Sequence, residues 1–189
     1  MKILKAHNFY LIGGGEDQSN HAEMQLLKKY GHQVNLYTEN NENIKSLGLI
    51  KTAVKTLWSQ QSYNQIRELI RNYQYDILNC ENTFPLISPS AYYAAKAEAI
   101  PVIQTLRNYR LFCLNAYFFR ENRVCEDCLN KPVPLPGIIH SCYKNSKAGS
   151  TVVAMMLSTH RLLRTYQNQV DIFITLTEFA KNKFIEGGL

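Results

Sequence analysis

Hydrophobic and polar positions follow the periods of strands and helices along most of the chain. Short apolar or alternating runs predict strands over residues 3–6, 33–38, 75–80, 100–106 and 170–175. Apolar residues spaced three or four apart predict helices over residues 17–30, 46–58, 63–73, 88–99, 151–166 and 177–186. Because strands and helices alternate, the pattern predicts an α/β fold with a Rossmann-like, doubly wound parallel sheet and helices on both faces.

The alternation stops at residues 107–149. This segment holds four of the five cysteines and has little periodicity of its own. We interpret it as an irregular, Cys-rich insertion in a single domain that spans residues 1–189.

The composition is that of a globular protein. Hydrophobic residues make up 46% of the 189 residues and charged residues 19%, and the mean hydropathy is −0.26. A domain of this length buries about 70% of the surface of its unfolded chain, so its core needs no disulfide support. No apolar run approaches the ~20 residues of a membrane span, and the chain opens on a strand rather than a leader. We therefore expect a cytoplasmic protein, with the inner face of the membrane as the alternative location.

The net charge of +6 suits an anionic partner. Nucleic acid, an anionic membrane face and phosphorylated ligands all meet that condition. The lysines and arginines are dispersed along the chain, without the dense basic run of a nucleic-acid-binding arm. This distribution argues against nucleic acid and leaves phosphorylated ligands or a peripheral membrane contact.

Three consecutive glycines, Gly13, Gly14 and Gly15, lie between the first predicted strand and the first predicted helix, which Asp17 or Ser19 would cap. Glycine permits positive φ and a close approach of backbone to ligand. A helix N-terminus at such a turn presents amide groups and a positive dipole end, so the stretch predicts an anion site. It matches neither the dinucleotide fingerprint nor a Walker A loop, and an ordinary flexible first loop is the alternative.

Polar side chains follow the third and fourth predicted strands. Glu81 and Asn82 come after the third strand, and Arg107 and Asn108 after the fourth. The carboxyl ends of parallel strands share one sheet edge, where α/β proteins bind ligands, so we expect these residues to converge with the glycine loop. Glu81 and Arg107 are predicted to form an ion pair.

The Cys-rich segment predicts a metal site. Cys125 and Cys128 form a Cys-x-x-Cys pair, the short bite that two thiolates need to bind one zinc ion. Cys113 and Cys142 could complete a tetrahedral site, with His140 as a substitute ligand. The alternatives are reduced buried thiols or, least favoured in a reducing compartment, a disulfide. Cys80, inside the third strand, is predicted to be a small core residue.

Several short motifs occur in order along the chain. They are His7-Asn8-Phe9-Tyr10 with Gly14-Gly15-Glu16-Asp17, Asn82 to Pro89, Pro101 to Leu106, Asn108-Tyr109-Arg110, Cys125 to Cys128, His140 to Tyr143, and Thr177 to Ala180 with Lys183-Phe184-Ile185. Together they resemble the amino-terminal domain of family 4 glycosyltransferases, the retaining nucleotide-sugar enzymes of the GT-B fold, and the resemblance runs nearly from end to end of the chain.

The resemblance implies the acceptor-side half of a two-domain hexosyltransferase that moves a sugar from a UDP- or GDP-linked donor to a saccharide or lipid-linked acceptor. The donor would lie mainly on a carboxyl-terminal domain absent from these residues, so this half alone should be inactive. The fold uses no catalytic metal, and zinc here would be structural. The implied roles are donor-phosphate binding by Gly13, Gly14 and Gly15, acceptor binding by Glu16, Asn82 and Asn108, and catalysis by Arg107 and Glu81.

Two departures from the family pattern open other interpretations. The family usually ends its third strand in His-x-His-Asn, where this chain has Asn79-Cys80-Glu81-Asn82, and has a histidine where this chain has Arg107. Arginine exchanges no proton at neutral pH but binds phosphate with a fixed fork of donors. A non-catalytic sugar- or partner-binding relative is the first alternative function, and a zinc-bearing nucleic-acid module is the second.

Overall fold

The computed structural model describes all residues, 1–189, and shows an α/β fold. The strands are β1 (Lys2–Phe9), β2 (Gln33–Asn40), β3 (Ile77–Cys80), β4 (Val102–Leu106), β5 (Phe119–Arg120), β6 (Arg123–Val124) and β7 (Ile172–Thr175). The helices are α1 (Gly15–Lys29), α2 (Asn43–Leu47), α3 (Leu49–Leu57), α4 (Gln60–Tyr73), α5 (Ser90–Ala97), α6 (Leu135–Ile139), α7 (Lys147–Leu162), α8 (Thr165–Gln169) and α9 (Glu178–Glu186).

Five strands form one sheet in the order β2-β1-β3-β4-β7. β1 pairs in parallel with β2, from Lys2 opposite Gln33 onward, and with β3 on its other side. β3 pairs in parallel with β4. The predicted Rossmann-like parallel sheet flanked by helices is confirmed.

The chain divides into two compact units. Unit 1 comprises residues 1–105 and 169–174, and unit 2 comprises residues 106–168 and 175–189. In unit 1 the sheet buries Leu4, Leu78 and Val102, and α4 adds Ile66 and Ile70, which recur at helical spacing. Cys80 is fully buried in β3, as predicted for a small core residue.

Side-chain caps fix where several helices begin. Ser59, Ser146 and Thr177 accept hydrogen bonds from backbone amides at the starts of α4, α7 and α9. The predicted continuous helix over residues 46–58 is wrong, because Gly48 has a φ of 75° and separates α2 from α3. None of the helices combines the length and the apolar character that a membrane span needs.

Unit 2 contains more regular structure than the pattern at residues 107–149 predicted. β5 and β6 form an antiparallel hairpin around Glu121 and Asn122, which both have positive φ. The core of the unit is aromatic and aliphatic, and the rings of Phe112 and Tyr109 each lie 5.5 Å from that of Phe184. Gly187 packs under the Phe112 ring, where an added Cβ would lie 2.4 Å from a ring carbon.

Candidate functional site

The order of the strands defines a crevice at one edge of the sheet in unit 1. From β1 the chain passes to β2 on one side and then to β3 on the other. In open α/β sheets ligands bind outside the carboxyl ends of the strands where the strand order reverses in this way. The segments that leave β1 and β3 therefore flank the candidate site, and they contain Gly13 to Asp17 and Glu81 to Asn82 respectively.

The glycine loop ends directly in a helix. α1 begins at Gly15, earlier than predicted, and its first intrahelical bond runs from the Gln18 amide to the Gly14 carbonyl at 3.2 Å. None of the three glycines has a φ in the left-handed region, so this loop does not use the positive φ that glycine permits. A Cβ added at Gly14 or Gly15 would meet no atom within 4 Å.

The loop is held by a histidine–aspartate pair that sequence reasoning missed. His7 Nε2 lies 2.6 Å from Asp17 Oδ1, and Asp17 Oδ2 accepts a 3.2 Å hydrogen bond from the Gly14 amide. The His7 side chain is fully buried, and its Nδ1 has no hydrogen-bond partner. Asp17 thus occupies the third position of α1 and ties the helix start to β1.

The first turn of α1 is acidic, as the helix dipole favours. Beside Asp17, Glu16 accepts a 2.8 Å hydrogen bond from the Tyr10 hydroxyl. An anion that approaches the amides of this turn would meet two carboxylates, each already in contact with a hydrogen-bonding partner. The electrostatics are therefore less favourable to a bare phosphate than the glycine pattern alone suggests.

Asn82 links the ends of β1 and β3. The Asn8 amide donates to the Asn82 carbonyl at 2.7 Å, and Asn82 Nδ2 donates to the Asn8 carbonyl at 2.8 Å. Asn82 Oδ1 accepts from the Phe84 amide, and Asn8 Oδ1 accepts from the Leu86 amide. Both polar ends of the Asn82 side chain therefore hold the strand ends, and its predicted acceptor contact stays a prediction.

Glu81 belongs to a buried ion cluster. Lys5 Nζ lies 2.8 Å from Glu81 Oε1 and 3.0 Å from Glu23 Oε2. The Lys5 and Glu81 side chains are 0% and 1% exposed. Burial raises the pKa of Glu23, and the neighbouring Glu81 carboxylate raises it further, while Lys5 opposes the change. The predicted Glu81–Arg107 ion pair stays a prediction.

Arg107 and Asn108 follow β4 and belong to unit 2. Both are half-buried. Asn108 Oδ1 accepts a 3.0 Å hydrogen bond from the Arg110 amide, which closes a turn after the strand. Next to them, the Tyr109 amide donates to the Ala116 carbonyl at 2.9 Å. Their predicted roles in catalysis and acceptor binding stay predictions.

The four cysteines of the Cys-rich segment line one small cavity in unit 2, together with residues that include Arg120 and Gly137. They are Cys113, Cys125, Cys128 and Cys142, and all are free thiols. Burial raises the pKa of the Cys128 thiol to about 11. His140 is exposed and does not line the cavity. No group of three or more His, Cys, Asp and Glu side chains is arranged as a ready-made metal site.

Comparisons with known proteins identify no family for this chain. A search against protein-family models finds no match, and a search against curated proteins finds none. Among solved structures, the UDP-GlcNAc 2-epimerase from Methanocaldococcus jannaschii is similar to this chain, with a TM-score of 0.43 and 9% sequence identity. The alignment covers 99% of this chain and 48% of the epimerase, so the chain spans about half the length of that protein. At this level the similarity carries no argument about site residues or activity.

Proposed function

We propose that this chain is the acceptor-side half of a retaining, nucleotide-sugar-dependent glycosyltransferase of the hexosyltransferase type. The donor would be a UDP- or GDP-linked sugar, and the acceptor a saccharide or a lipid-linked saccharide. In this proposal a carboxyl-terminal domain of the same protein supplies most of the donor site, and activity requires both halves.

The observation that carries the proposal is the glycine loop at the point of the sheet where strand order reverses. Neither Gly14 nor Gly15 has a left-handed φ, and a Cβ at either position would point into open space. The backbone conformation therefore does not require glycine at Gly15, whereas Gly14 is the N-cap of α1, a position where glycine is favoured over alanine. A ligand that must come within contact distance of the backbone accounts for the missing side chain at Gly15, and a donor diphosphate is such a ligand.

The two carboxylates of the first turn oppose a bare phosphate, so in our proposal other groups share the binding of the diphosphate. Asp17 is paired with the buried His7, and Glu16 accepts from Tyr10, so neither carboxylate stands alone. In our proposal Glu16 accepts a hydrogen bond from an acceptor hydroxyl, and Asn108 helps to orient the acceptor. Gly13 to Gly15 donate backbone hydrogen bonds to the donor phosphates.

Arg107 is proposed to stabilise the leaving diphosphate. Glycosyl transfer with retention passes through an oxocarbenium-like state in which negative charge grows on the leaving group, and a fixed guanidinium fork binds that charge directly. Glu81 pairs with Lys5, so we assign it a positioning role at the end of β3 rather than contact with the sugar. Asn82 has the same role through its bonds to Asn8.

The test is turnover by the full-length protein across a panel of UDP- and GDP-sugars with saccharide and lipid-linked acceptors. Release of nucleoside diphosphate and growth of the acceptor in mass are both expected. Arg107→Ala should reduce kcat/KM by about a hundredfold or more, and Arg107→Lys should restore only part of it. Arg123→Ala, whose side chain is 68% exposed in the hairpin, is the matched control and should change nothing.

A non-catalytic sugar-binding relative is the second candidate. One observation favours it: the side chains of Glu81 and Asn82, at the family's His-Asn positions, are both committed to internal contacts. This candidate predicts saturable saccharide binding by calorimetry, with no nucleotide release from any donor and no effect of Arg107→Ala on turnover. Such a result would overturn the enzymatic proposal.

A further inference from the structure

We infer that Cys113, Cys125, Cys128 and Cys142 form a structural zinc site inside unit 2. The inference is independent of the proposed function and concerns the fold of the segment between β4 and α7. Two observations carry it: the spacing of the cysteines in the chain, and their meeting around one cavity.

The cavity is the size of a single ion. Its volume is about 10 Å³, close to the volume that one water molecule needs. Four thiolates bind Zn²⁺ at about 2.3 Å from each sulfur, in a tetrahedron that leaves no room for solvent. Cysteines separated in sequence by up to 29 positions, from 113 to 142, all reach this one space. An apolar core has no reason to gather four thiols in this way.

Two of the four sulfurs make hydrogen-bond contacts as thiols. Cys113 Sγ donates to Asn115 Oδ1 at 2.9 Å, and Cys128 Sγ lies 3.9 Å from the Pro134 carbonyl oxygen. Metal binding replaces these contacts: each sulfur turns toward the cavity, forms a Zn–S bond and releases its proton to solvent, four protons for one ion. In our inference, rotation of the cysteine side chains explains why the four cysteines share one cavity but are not yet arranged as a metal site.

The backbone around the cavity is already tied down. The Cys113 amide donates to the Tyr109 carbonyl, the Cys125 amide to the Phe118 carbonyl, and the Cys142 amide to the Gly137 carbonyl, all at 2.8 to 2.9 Å. Ligand-bearing turns that hold their own hydrogen bonds can accept an ion with side-chain movement alone. Regular structure in this segment is short: the hairpin strands have two residues each and α6 has five.

A cation stands beside the cluster. Arg120 lines the cavity, and its side chain is 14% exposed. Its Nη2 pairs with Asp127 Oδ2 at 3.1 Å, while its buried Nε makes no hydrogen bond and lies 3.8 Å from Glu121 Oε1. A zinc ion with four thiolates carries a net charge of −2, which is costly to bury unless a cation lies nearby. Arg120 supplies that charge, and its buried N–H is a donor to a thiolate, the contact that commonly orients metal ligands from outside the coordination sphere.

The experiment is metal analysis of the protein purified under reducing conditions without added chelator. We expect about one zinc ion per chain, and background zinc in a Cys125→Ser/Cys128→Ser variant. Cys80→Ala is the matched control, since the fifth cysteine lies in unit 1 and its loss should leave zinc content unchanged. To keep the test independent of the folding of the double variant, the wild-type protein is also loaded with Co²⁺, which should give tetrahedral d–d bands and sulfur-to-cobalt charge-transfer bands.

Two results would overturn the inference. One is wild-type protein that is metal-free after growth in zinc-containing medium and shows no tetrahedral cobalt spectrum. The other is an intact mass that reveals a disulfide among the four cysteines in the protein isolated with thiols protected. Removal of zinc by a strong chelator should lower the Tm of the wild-type protein and leave that of the double variant unchanged.

Discussion

Lys5 Nζ lies 2.8 Å from Glu81 Oε1, and neither side chain is more than 1% exposed. The pair crosses from the middle of β1 to the first residue after β3, and the Glu81 amide also donates to the Ala6 carbonyl at 3.0 Å. A buried lysine of this kind depends on its carboxylate partner, because an unpaired charge in the interior is strongly destabilising.

Glu81→Gln should therefore lower the free energy of unfolding by about 2 to 4 kcal/mol. Glu23→Gln is the matched control. Glu23 is the partly exposed member of the same cluster, with a side chain 30% exposed, and its replacement should change stability by no more than about 1 kcal/mol. Urea denaturation of the three proteins at pH 7 measures both effects. An equal loss of unfolding free energy in the two variants would show that Glu81 and Glu23 stabilise Lys5 to the same extent.

Gly15→Ala should separate stability from activity. The added Cβ meets no atom within 4 Å, and alanine narrows the unfolded ensemble, so the variant should be unchanged or more stable by about 0.4 to 1 kcal/mol. If the loop binds a donor diphosphate, the same methyl group obstructs the ligand and raises KM for the nucleotide sugar. Thermal melting and donor titration of the full-length enzyme test the two halves of this prediction. Unchanged donor kinetics would remove the glycine loop from the site.

Asp17→Ala should loosen the start of α1. The substitution removes the acceptor of the Gly14 amide and the partner of His7 together, and loss of a helix-start carboxylate costs about 0.5 to 2 kcal/mol. Gln18→Ala, at the exposed neighbouring position, is the control and should have little effect. Amide hydrogen exchange over the glycine loop should accelerate only in the Asp17 variant. Slow exchange in both would mean that the His7–Asp17 pair does not hold the loop.

Asp171 should contribute to acid sensitivity. Although burial alone would raise its pKa, hydrogen bonds from Lys96 and from the Val102 amide lower it below the ordinary value of 3.8. Stability from this group is thus fully present above that value and is lost as the pH falls through the lower pKa of the folded protein. Asp171→Asn should flatten the fall in Tm over this acidic range and lower Tm at neutral pH. Parallel Tm-versus-pH curves for the two proteins would contradict the assignment.

The sheet was predictable from the sequence because its strands bury apolar residues in short runs separated by helices. β1 extends further than its apolar pattern, since Lys5, His7 and Asn8 are polar but fully buried. Lys5 and Asn8 have partners distant in sequence, Glu81 and Asn41, and His7 Nε2 pairs with Asp17. Polar residues inside a central strand were the available signal for the charge cluster and the His7–Asp17 pair, but the pattern does not identify the partners.

The errors in the predicted secondary structure at residues 46–58 and at the β5–β6 hairpin each have a local cause. Residues 46–58 keep helical spacing across Gly48, yet the backbone turns there. Ile50 and Val54, two of the apolar residues at that spacing, are 82% and 62% exposed. The hairpin of β5 and β6 has only two residues in each strand, too few to show a period of two. By contrast, the spacing of the four cysteines led us to expect that they lie close together, and all four line one cavity.

Unit 1 receives its last strand from a part of the chain that comes after most of unit 2. β7 lies at the end of the sheet beside β4, and Asp171 exchanges backbone and side-chain hydrogen bonds with Val102. A gene fragment that stopped at Thr105 would leave one side of β4 with unpaired amides and carbonyls, a template for another copy of the fragment. Such a fragment should self-associate, and rejoining residues 169–175 through a flexible linker should keep it monomeric.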